Sequence, residues 1–188
     1  MSDKINVSEI IKGHFSTLKN YHTGKICKSD VFVFIVIPLL IAIANMVFGM
    51  SIGKELRAAL INFGAIFSAL LISVLVLVYD QKNKLATKLE NKSKDKESCQ
   101  DNLPNLNALS TTLHELYSNI CFAILTSLML VVFSMVQIIL IDLKITVLNL
   151  YLINPLIIFC ICTIILTTLM IIKRLHKLLS AFDNIVDK

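Results

Sequence analysis

Charge is missing from the long apolar runs of this chain. Between Arg57 and Asp80 there is no Asp, Glu, Lys, Arg or His, and no ionisable residue other than cysteine lies deep in any apolar stretch. Proton-coupled transporters, pumps and voltage sensors need such groups at membrane depth. Their absence argues against those classes. The signatures of catalysis are missing too. There is no nucleophile–base pair, no metal-ligand cluster, no Walker loop and no dinucleotide fingerprint. His114 and Glu115 are adjacent rather than four apart, so they do not form a zinc-type helix site. No catalytic, cofactor-binding or metal-ligating residue is assigned, and the chain is read as a non-enzyme. The five cysteines are scattered, which makes a poor disulfide framework. Cys160 and Cys162, two apart on a helix, point their sulfurs in different directions and are read as apolar fillers. The first thirty residues are polar and Lys-rich, without the apolar core or small-residue site of a removable signal peptide. No lipidation motif and no internal repeat longer than a helix is visible.

What is present is apolar length. Hydrophobic residues make up 56% of the 188, and the mean hydropathy is +0.77. A soluble domain is about half apolar but does not string those residues into runs of twenty. The pattern predicts an all-α integral membrane protein with four transmembrane helices, both termini cytoplasmic, and helices two to four extending into the cytoplasm as a small bundle. The spans fall at 30–50, 56–80, 116–141 and 155–172. Residues 1–29 form an N-terminal cytoplasmic arm, 81–115 a cytoplasmic helical hairpin, 147–153 a separate outer segment and 173–188 a C-terminal cytoplasmic helix.

The second span organises the rest. The roughly 22 residues between Arg57 and Asp80 rise ~33 Å as a helix, enough to cross a hydrocarbon core of ~30 Å. Ala65, Ala69 and Ser73 recur every four residues, with Gly64 and Ser68 on the adjacent row. A small-residue stripe of this kind lets another helix approach closely, within or between protomers. The helix should continue into solvent to about residue 95, because the stretch after Gln81 is rich in helix formers and lacks Gly and Pro. Residues 95–105 read as a turn.

Elsewhere, Asn6 or Ser8 is expected to cap a short helix in the arm, with Ile10, Ile11, His14, Phe15 and Leu18 on one face. That helix lies on the bilayer surface or packs under the bundle. His14 and His22 could serve as pH sensors, but neither has an evident partner, and both are read as surface residues. Pro38 should kink or loosen the first span. Leu106, Leu109, Leu113, Leu116 and Ile120 start the third helix well before the membrane, unless Thr112 and Glu115 form a capping box at a later start. Asn154 is expected to cap the fourth span, with Pro155 in its first turn. Below it, Ile172, Leu175, Leu178, Leu179, Phe182 and Ile185 make a stripe that must bury against something.

Orientation follows the basic residues. The arm, the long loop and the tail together hold fifteen Lys and Arg, whereas the two short turns hold only Lys54, Arg57 and Lys144. The lopsided count puts the arm, loop and tail in the cytoplasm. Tyr79 and Tyr117 fall at one interface and Tyr151 at the other. The pI near 9.0 is thus a topology signature, and no direct nucleic-acid binding is expected. Asn45, Asn62, Asn119, Gln137 and Asn154 are the polar residues at or near membrane depth. They line a wet cavity or make interhelical hydrogen bonds worth ~0.6 kcal/mol each, and the second reading is favoured.

Three stretches carry a family resemblance: His14 to Lys19, Asp30 followed by Ile37-Pro38, and Ile66 to Leu71 running on to Val78-Tyr79-Asp80. Together with the order of polar arm, Pro-bearing first span, small-residue second span and Lys-rich loop, they resemble KwaA, the membrane component of the two-protein Kiwa anti-phage system. The resemblance covers about residues 10–82. It implies a homotetramer in the bacterial inner membrane that senses phage attack at the envelope and recruits a cytosolic DNA-binding partner, KwaB. It brings no catalytic residue.

The expected function is a non-enzymatic inner-membrane scaffold or sensor. Gly64, Ala65, Ser68, Ala69 and Ser73 would pack helices or protomers, and Leu109, Leu113, Leu175, Leu178, Leu179 and Phe182 would dock a cytosolic partner. The alternative is a pore-forming effector, holin-like or of the abortive-infection type, built on the Asn, Gln, Ser and Thr of the spans. A third reading is a small-molecule binding subunit.

Overall fold

The computed structural model describes residues 7–17, 32–94 and 103–186, with side-chain surroundings for 7–17, 32–87 and 109–179. Among the described residues the secondary structure is helical and contains no strand. Helix α1 spans Ser8–Ser16. A π-helical turn, Phe32–Val36, leads into α2, Ile37–Phe48. The long helices α3, Lys54–Lys94, and α4, Leu103–Asp142, follow. A short α5, Thr146–Leu148, then runs through a second π turn, Asn149–Ile153, into α6, Asn154–Val186.

Three helical columns are long and apolar enough to cross a membrane: Lys54–Thr87, Leu109–Asp142 and Thr146–Leu179, each of 34 residues. At 1.5 Å per residue each is ~51 Å long, so each overshoots a ~30 Å hydrocarbon core. The first apolar helix, Phe32–Phe48, is shorter, roughly 25 Å at the same rise. It stops short of Met50 because Gly49 adopts the left-handed conformation, φ 59° and ψ 29°, that ends a helix. A second left-handed residue, Lys144 at φ 57°, ends α4. There the Ile145 N–H reaches the Leu140 carbonyl at 2.9 Å and the Lys144 N–H reaches that of Ile141, also at 2.9 Å, which is the Schellman pattern.

The two π turns share a cause. Each covers the positions six to two residues ahead of a proline, Pro38 in one case and Pro155 in the other. A proline donates no N–H to the residue four back, and its ring crowds that carbonyl. Widening the preceding turn relieves the clash without ending the helix. Pro38 therefore loosens the first apolar helix as expected. Pro155 does not start a new one. Residues 146–179 form one continuous column, so 147–153 is not a separate segment. Asn154 has helical angles, φ −58° and ψ −49°, and its side chain is buried rather than capping.

Helix α4, not α3, is the centre of the packing. Helices α3, α6 and α1 all pack against α4, while α2 packs on α6, so the four long or apolar helices lie side by side in the order α3, α4, α6, α2. Toward the Lys-rich end, Leu71, Val78 and Leu85 of α3 meet Leu109, Leu113, Leu116, Ile120 and Ala123 of α4 and Ile171 and Leu178 of α6. Toward the short-turn end, Ile52, Leu130, Leu140, Ile153, Ile157, Cys160 and Ile164 form a second cluster. The large apolar residues left outside, such as Ile66, Leu70, Val76 and Leu77 on α3 and Ile165 and Leu169 on α6, are half exposed or more, as on a lipid-facing surface.

One expected helix start is corrected, and of the two starts open for α4 the earlier one holds. Val7 occupies the N-cap of α1 without a side-chain bond, and Ser8 is the first helical residue, while Asn6 lies outside the described residues. Thr112 and Glu115 sit inside α4, two turns past its start at Leu103, so they form no capping box.

The seam between α3 and α4 runs through Gly64. A Cβ there would fall 2.6 Å from Val131 Cγ2 and 3.2 Å from the Ser127 carbonyl oxygen. One turn on, Ser68 Oγ lies 2.8 Å from Ser127 Oγ and 2.6 Å from the Gly64 carbonyl. Gly64→Ala should push α3 off α4 and destabilise the fold by about 1–3 kcal/mol. Unfolding in a mild detergent by increasing denaturant would reveal the loss as a lower midpoint.

Candidate functional site

Buried polar side chains gather into two clusters, one toward each end of the bundle. The first lies toward the Lys-rich end, where α1 folds back against α4. His14 is only 2% exposed, and its ring stacks flat on Phe122, with centroids 3.9 Å apart and planes 5° from parallel. Its Nδ1 lies 2.9 Å from Asn119 Oδ1, so the neutral ring donates there. The Thr17 hydroxyl sits 2.7 Å from the His14 carbonyl and 3.0 Å from Asn119 Oδ1, sharing one proton between them. Arg174 of α6 closes the cluster. Its Nη2 donates to the Thr17 carbonyl at 2.8 Å, at the end of α1, and its Nη1 lies 3.4 Å from Glu115 Oε2. A cation at a helix C-terminus also complements the helix dipole. One guanidinium thus ties α1, α4 and α6 together.

Burial lowers the His14 pKa to about 4. The Asn119 hydrogen bond opposes the shift and the nearby Arg174 charge adds a smaller part to it. His14 is therefore not the surface residue expected, and its partner stands more than a hundred positions away in sequence.

The second cluster lies at the short-turn end. Arg57 is 9% exposed. Its Nε donates to Gln137 Oε1 at 3.1 Å and its Nη2 to the Ile52 carbonyl at 2.9 Å. Gln137 Nε2 donates to Asn154 Oδ1, and Asn154 Nδ2 donates to the Met50 carbonyl at 3.2 Å. Asn45 Nδ2 makes a longer contact of 3.4 Å to the same carbonyl. Among the described residues no carboxylate lies within ion-pair distance of Arg57. Its charge is solvated by carbonyl dipoles, a stable arrangement only while each partner holds the next. Arg57 is thus a packing residue.

The residues singled out from sequence divide sharply. Gly64 and Ser68 face α4 and are buried, whereas Ala65, Ala69 and Ser73 on the adjoining row are exposed. Asn45, Asn119, Gln137 and Asn154 are buried, but Asn62 is exposed, on the side of α3 that carries Ala65, Ala69 and Ser73. Of the expected docking leucines, Leu109, Leu113 and Leu178 are at most 6% exposed and form core, because α3, α4 and α6 pack on one another beyond the apolar runs. Leu175 and Leu179 are exposed, and the side chain of Phe182 lies outside the described residues. Sequence reasoning passed over Thr17, Phe122, Arg57 and Arg174. The one local sign was Arg174 itself, a basic residue just past an apolar run.

Between α1, α4, α6 and the π turn at Phe32–Val36 lies an open cavity of about 780 Å³. Val33, Phe34, Leu166, Leu169 and Met170 line one part, and Thr17, Glu115, Lys173, Arg174, His176 and Lys177 another. Among the described residues there is no group of three or more His, Cys, Asp or Glu placed to hold a metal ion. Fold and surface together define a helical protein able to span a membrane. Comparison with known proteins finds no matching family model, no similar curated protein and no solved structure of like fold.

Two outcomes test the clusters. Gln137→Leu would strip Arg57 and Asn154 of a partner each and should cost about 2–4 kcal/mol, read as a lower unfolding midpoint in detergent. The docking of α1 should also depend on pH. Docked His14 stays neutral down to about pH 4, while a released His14 gains its proton near its ordinary value of 6.5. Docking should be insensitive above about pH 6.5 and weaken as pH falls from there toward 4. Hydrogen exchange of the α1 amides would report this, and His14→Phe, which keeps a ring on Phe122, should flatten the dependence.

Proposed function

We propose that this chain is a non-enzymatic scaffold or sensor of the bacterial inner membrane, with four spans and both termini, together with the Lys-rich hairpin, on the cytoplasmic side. The distribution of basic residues supports that orientation. The fourth span is the short helix Phe32–Phe48, which reaches across by drawing the bilayer slightly thinner, at a modest cost per ångström of mismatch.

One observation carries the scaffold reading. Helix α3 spends only one of its two small-residue rows inside the protomer. Gly64 and Ser68 are buried against α4, while Asn62, Ala65, Ala69 and Ser73 lie exposed along the adjoining face. In lipid, an exposed carboxamide beside small residues is best satisfied by a helix of another copy. The proposed product is a homo-oligomer held by α3, with the helical extensions past Tyr79 and Ile172 presented to a cytosolic partner. The resemblance of residues 10–82 to KwaA supports a role in anti-phage defence, a tetrameric assembly and a KwaB-like DNA-binding partner. The pore-forming alternative draws less support, since Asn119, Gln137 and Asn154 are committed to bonds between helices.

Substitution at the exposed row tests the assembly apart from the fold. Ala69→Leu should leave the unfolding midpoint nearly unchanged, because Ala69 is exposed, yet shift the detergent-solubilised protein to a smaller species in size-exclusion chromatography with light scattering. An unaltered elution profile would remove the proposed interface.

A further inference from the structure

The open cavity at the Lys-rich end is amphipathic in a specific order. Leu166, Leu169 or Met170, Lys173 and Lys177 fall at steps of three, four and seven along α6, so they share one face of that helix. Two apolar turns are followed by two basic ones, and the cavity straddles the change at Ile172–Lys173. Leu169 is 59% exposed, and Lys173 and Lys177 are exposed as well, so the cavity opens to the side and not only to its end. Val33 and Phe34 of the π turn form part of the apolar wall.

The net charge within the cavity is positive. Glu115 is the carboxylate on its lining, and Arg174 engages it at 3.4 Å while also donating to the Thr17 carbonyl. That pair cancels to a first approximation and leaves Lys173 and Lys177, which among the described residues make no ion pair. A volume near 780 Å³ lies within the range of sites that hold drug-sized or larger ligands. A free inorganic anion would use the lysines and leave the apolar half unfilled. A zwitterionic lipid would fill the apolar half, but its own cation would offset its phosphate and leave the net charge of the lysines uncompensated.

We propose that this cavity is a binding site for an anionic phospholipid. Its phosphate-bearing headgroup sits against Lys173 and Lys177, and the upper part of an acyl chain lies along Leu166, Leu169 and Met170. Basic recesses between membrane helices are suited to such headgroups. The proposal rests on the bilayer placement given above and adds a ligand to it. A lipid seated there would touch α6, the π turn and α4 beside the Arg174 clamp, so its presence would be felt where α1 is held.

The test uses the full chain purified in a neutral maltoside detergent, then mixed with phosphatidylglycerol, phosphatidylcholine or inorganic phosphate at equal concentrations. Lipid retained on the protein is read by native mass spectrometry. Phosphatidylglycerol should be retained about tenfold or more over phosphatidylcholine. The double variant Lys173→Gln/Lys177→Gln should lose that preference, while Lys54→Gln/Lys144→Gln, at the opposite end, should keep it. Met170→Trp, which fills the apolar part without changing charge, should lower retention of phosphatidylglycerol. Equal retention of the two lipids by the unaltered chain, or an undiminished preference in the Lys173/Lys177 variant, would overturn the proposal. Full displacement of the lipid by inorganic phosphate would do so as well, and would reassign the lysines to a free anion. Alkaline carbonate extraction of membranes separates this from failure of the bilayer placement, because a chain released by carbonate fails the placement whatever it retains in detergent.

Discussion

A polar group facing lipid must find its partner inside the protein, and the architecture follows from how α4 meets that demand. Asn119, Ser127, Ser134 and Gln137 are spaced along α4, and each is fully buried. Ser127 meets Ser68 of α3, Asn119 meets α1, and Gln137 bridges Arg57 of α3 to Asn154 of α6. Ser134 and Thr126 turn their hydroxyls onto carbonyls of their own helix. A helix that must be covered on several sides takes the centre. The row of bonds also sets the register of α3 and α6 against it, since each partner sits at one height only. Apolar contact between helices in lipid has no such selectivity, because lipid tails are as apolar as leucine.

The prolines show the same economy. Pro38 and Pro155 each sit behind a π turn at the same offset, so both helices continue past a residue that elsewhere ends them. The wider turn at Asn149–Ile153 allows Asn154 to be helical and still reach both Gln137 and the Met50 carbonyl. The turn at Phe32–Val36 places Val33 and Phe34 in the wall of the large cavity, and Phe34 edge-on to the His14 ring at 6.1 Å. What reads locally as damage to a helix is thus used at both ends of the molecule.

Function, on the reading proposed, rests on what the protomer leaves uncovered. The bundle consumes one row of α3, most of the buried polar residues and the leucines of the extended stripe. Outside it remain the Asn62–Ser73 face of α3, Leu175 and Leu179 on the extension of α6, and the amphipathic cavity beside the Arg174 clamp. These surfaces differ in the neighbour they suit: a helix in lipid, a protein in water and a lipid at the boundary. The clamp lies near two of them and also holds α1, so an event at the membrane boundary and one in the cytoplasm would meet at a single guanidinium.

Much of the fold was legible in the chain itself. Apolar length and the absence of charge, as in the run from Arg57 to Asp80, announce helices long and apolar enough to cross a membrane. The extension of α3 past the apolar run followed from helix propensity in a stretch without Gly or Pro. The small residues of α3 were legible as a stripe, but not the row that faces inward. Gly64 and Ala65 are neighbours in sequence, and only the direction of α4 decides between them. The interhelical bond favoured for Asn154 is present. His14 as a surface residue and Asn154 as a cap were misread, and the buried bonds of Arg57 were missed, for one reason. Each looks like a surface, topology or capping residue when judged by its neighbours in the chain, and each is bonded to a residue far away in sequence or on another helix. The sequence alone therefore determined which segments are helical and which are greasy, since propensity and hydropathy are local. Which face of each helix is buried, and which polar groups meet, depends on the relative placement of helices, and only the tertiary structure decided it.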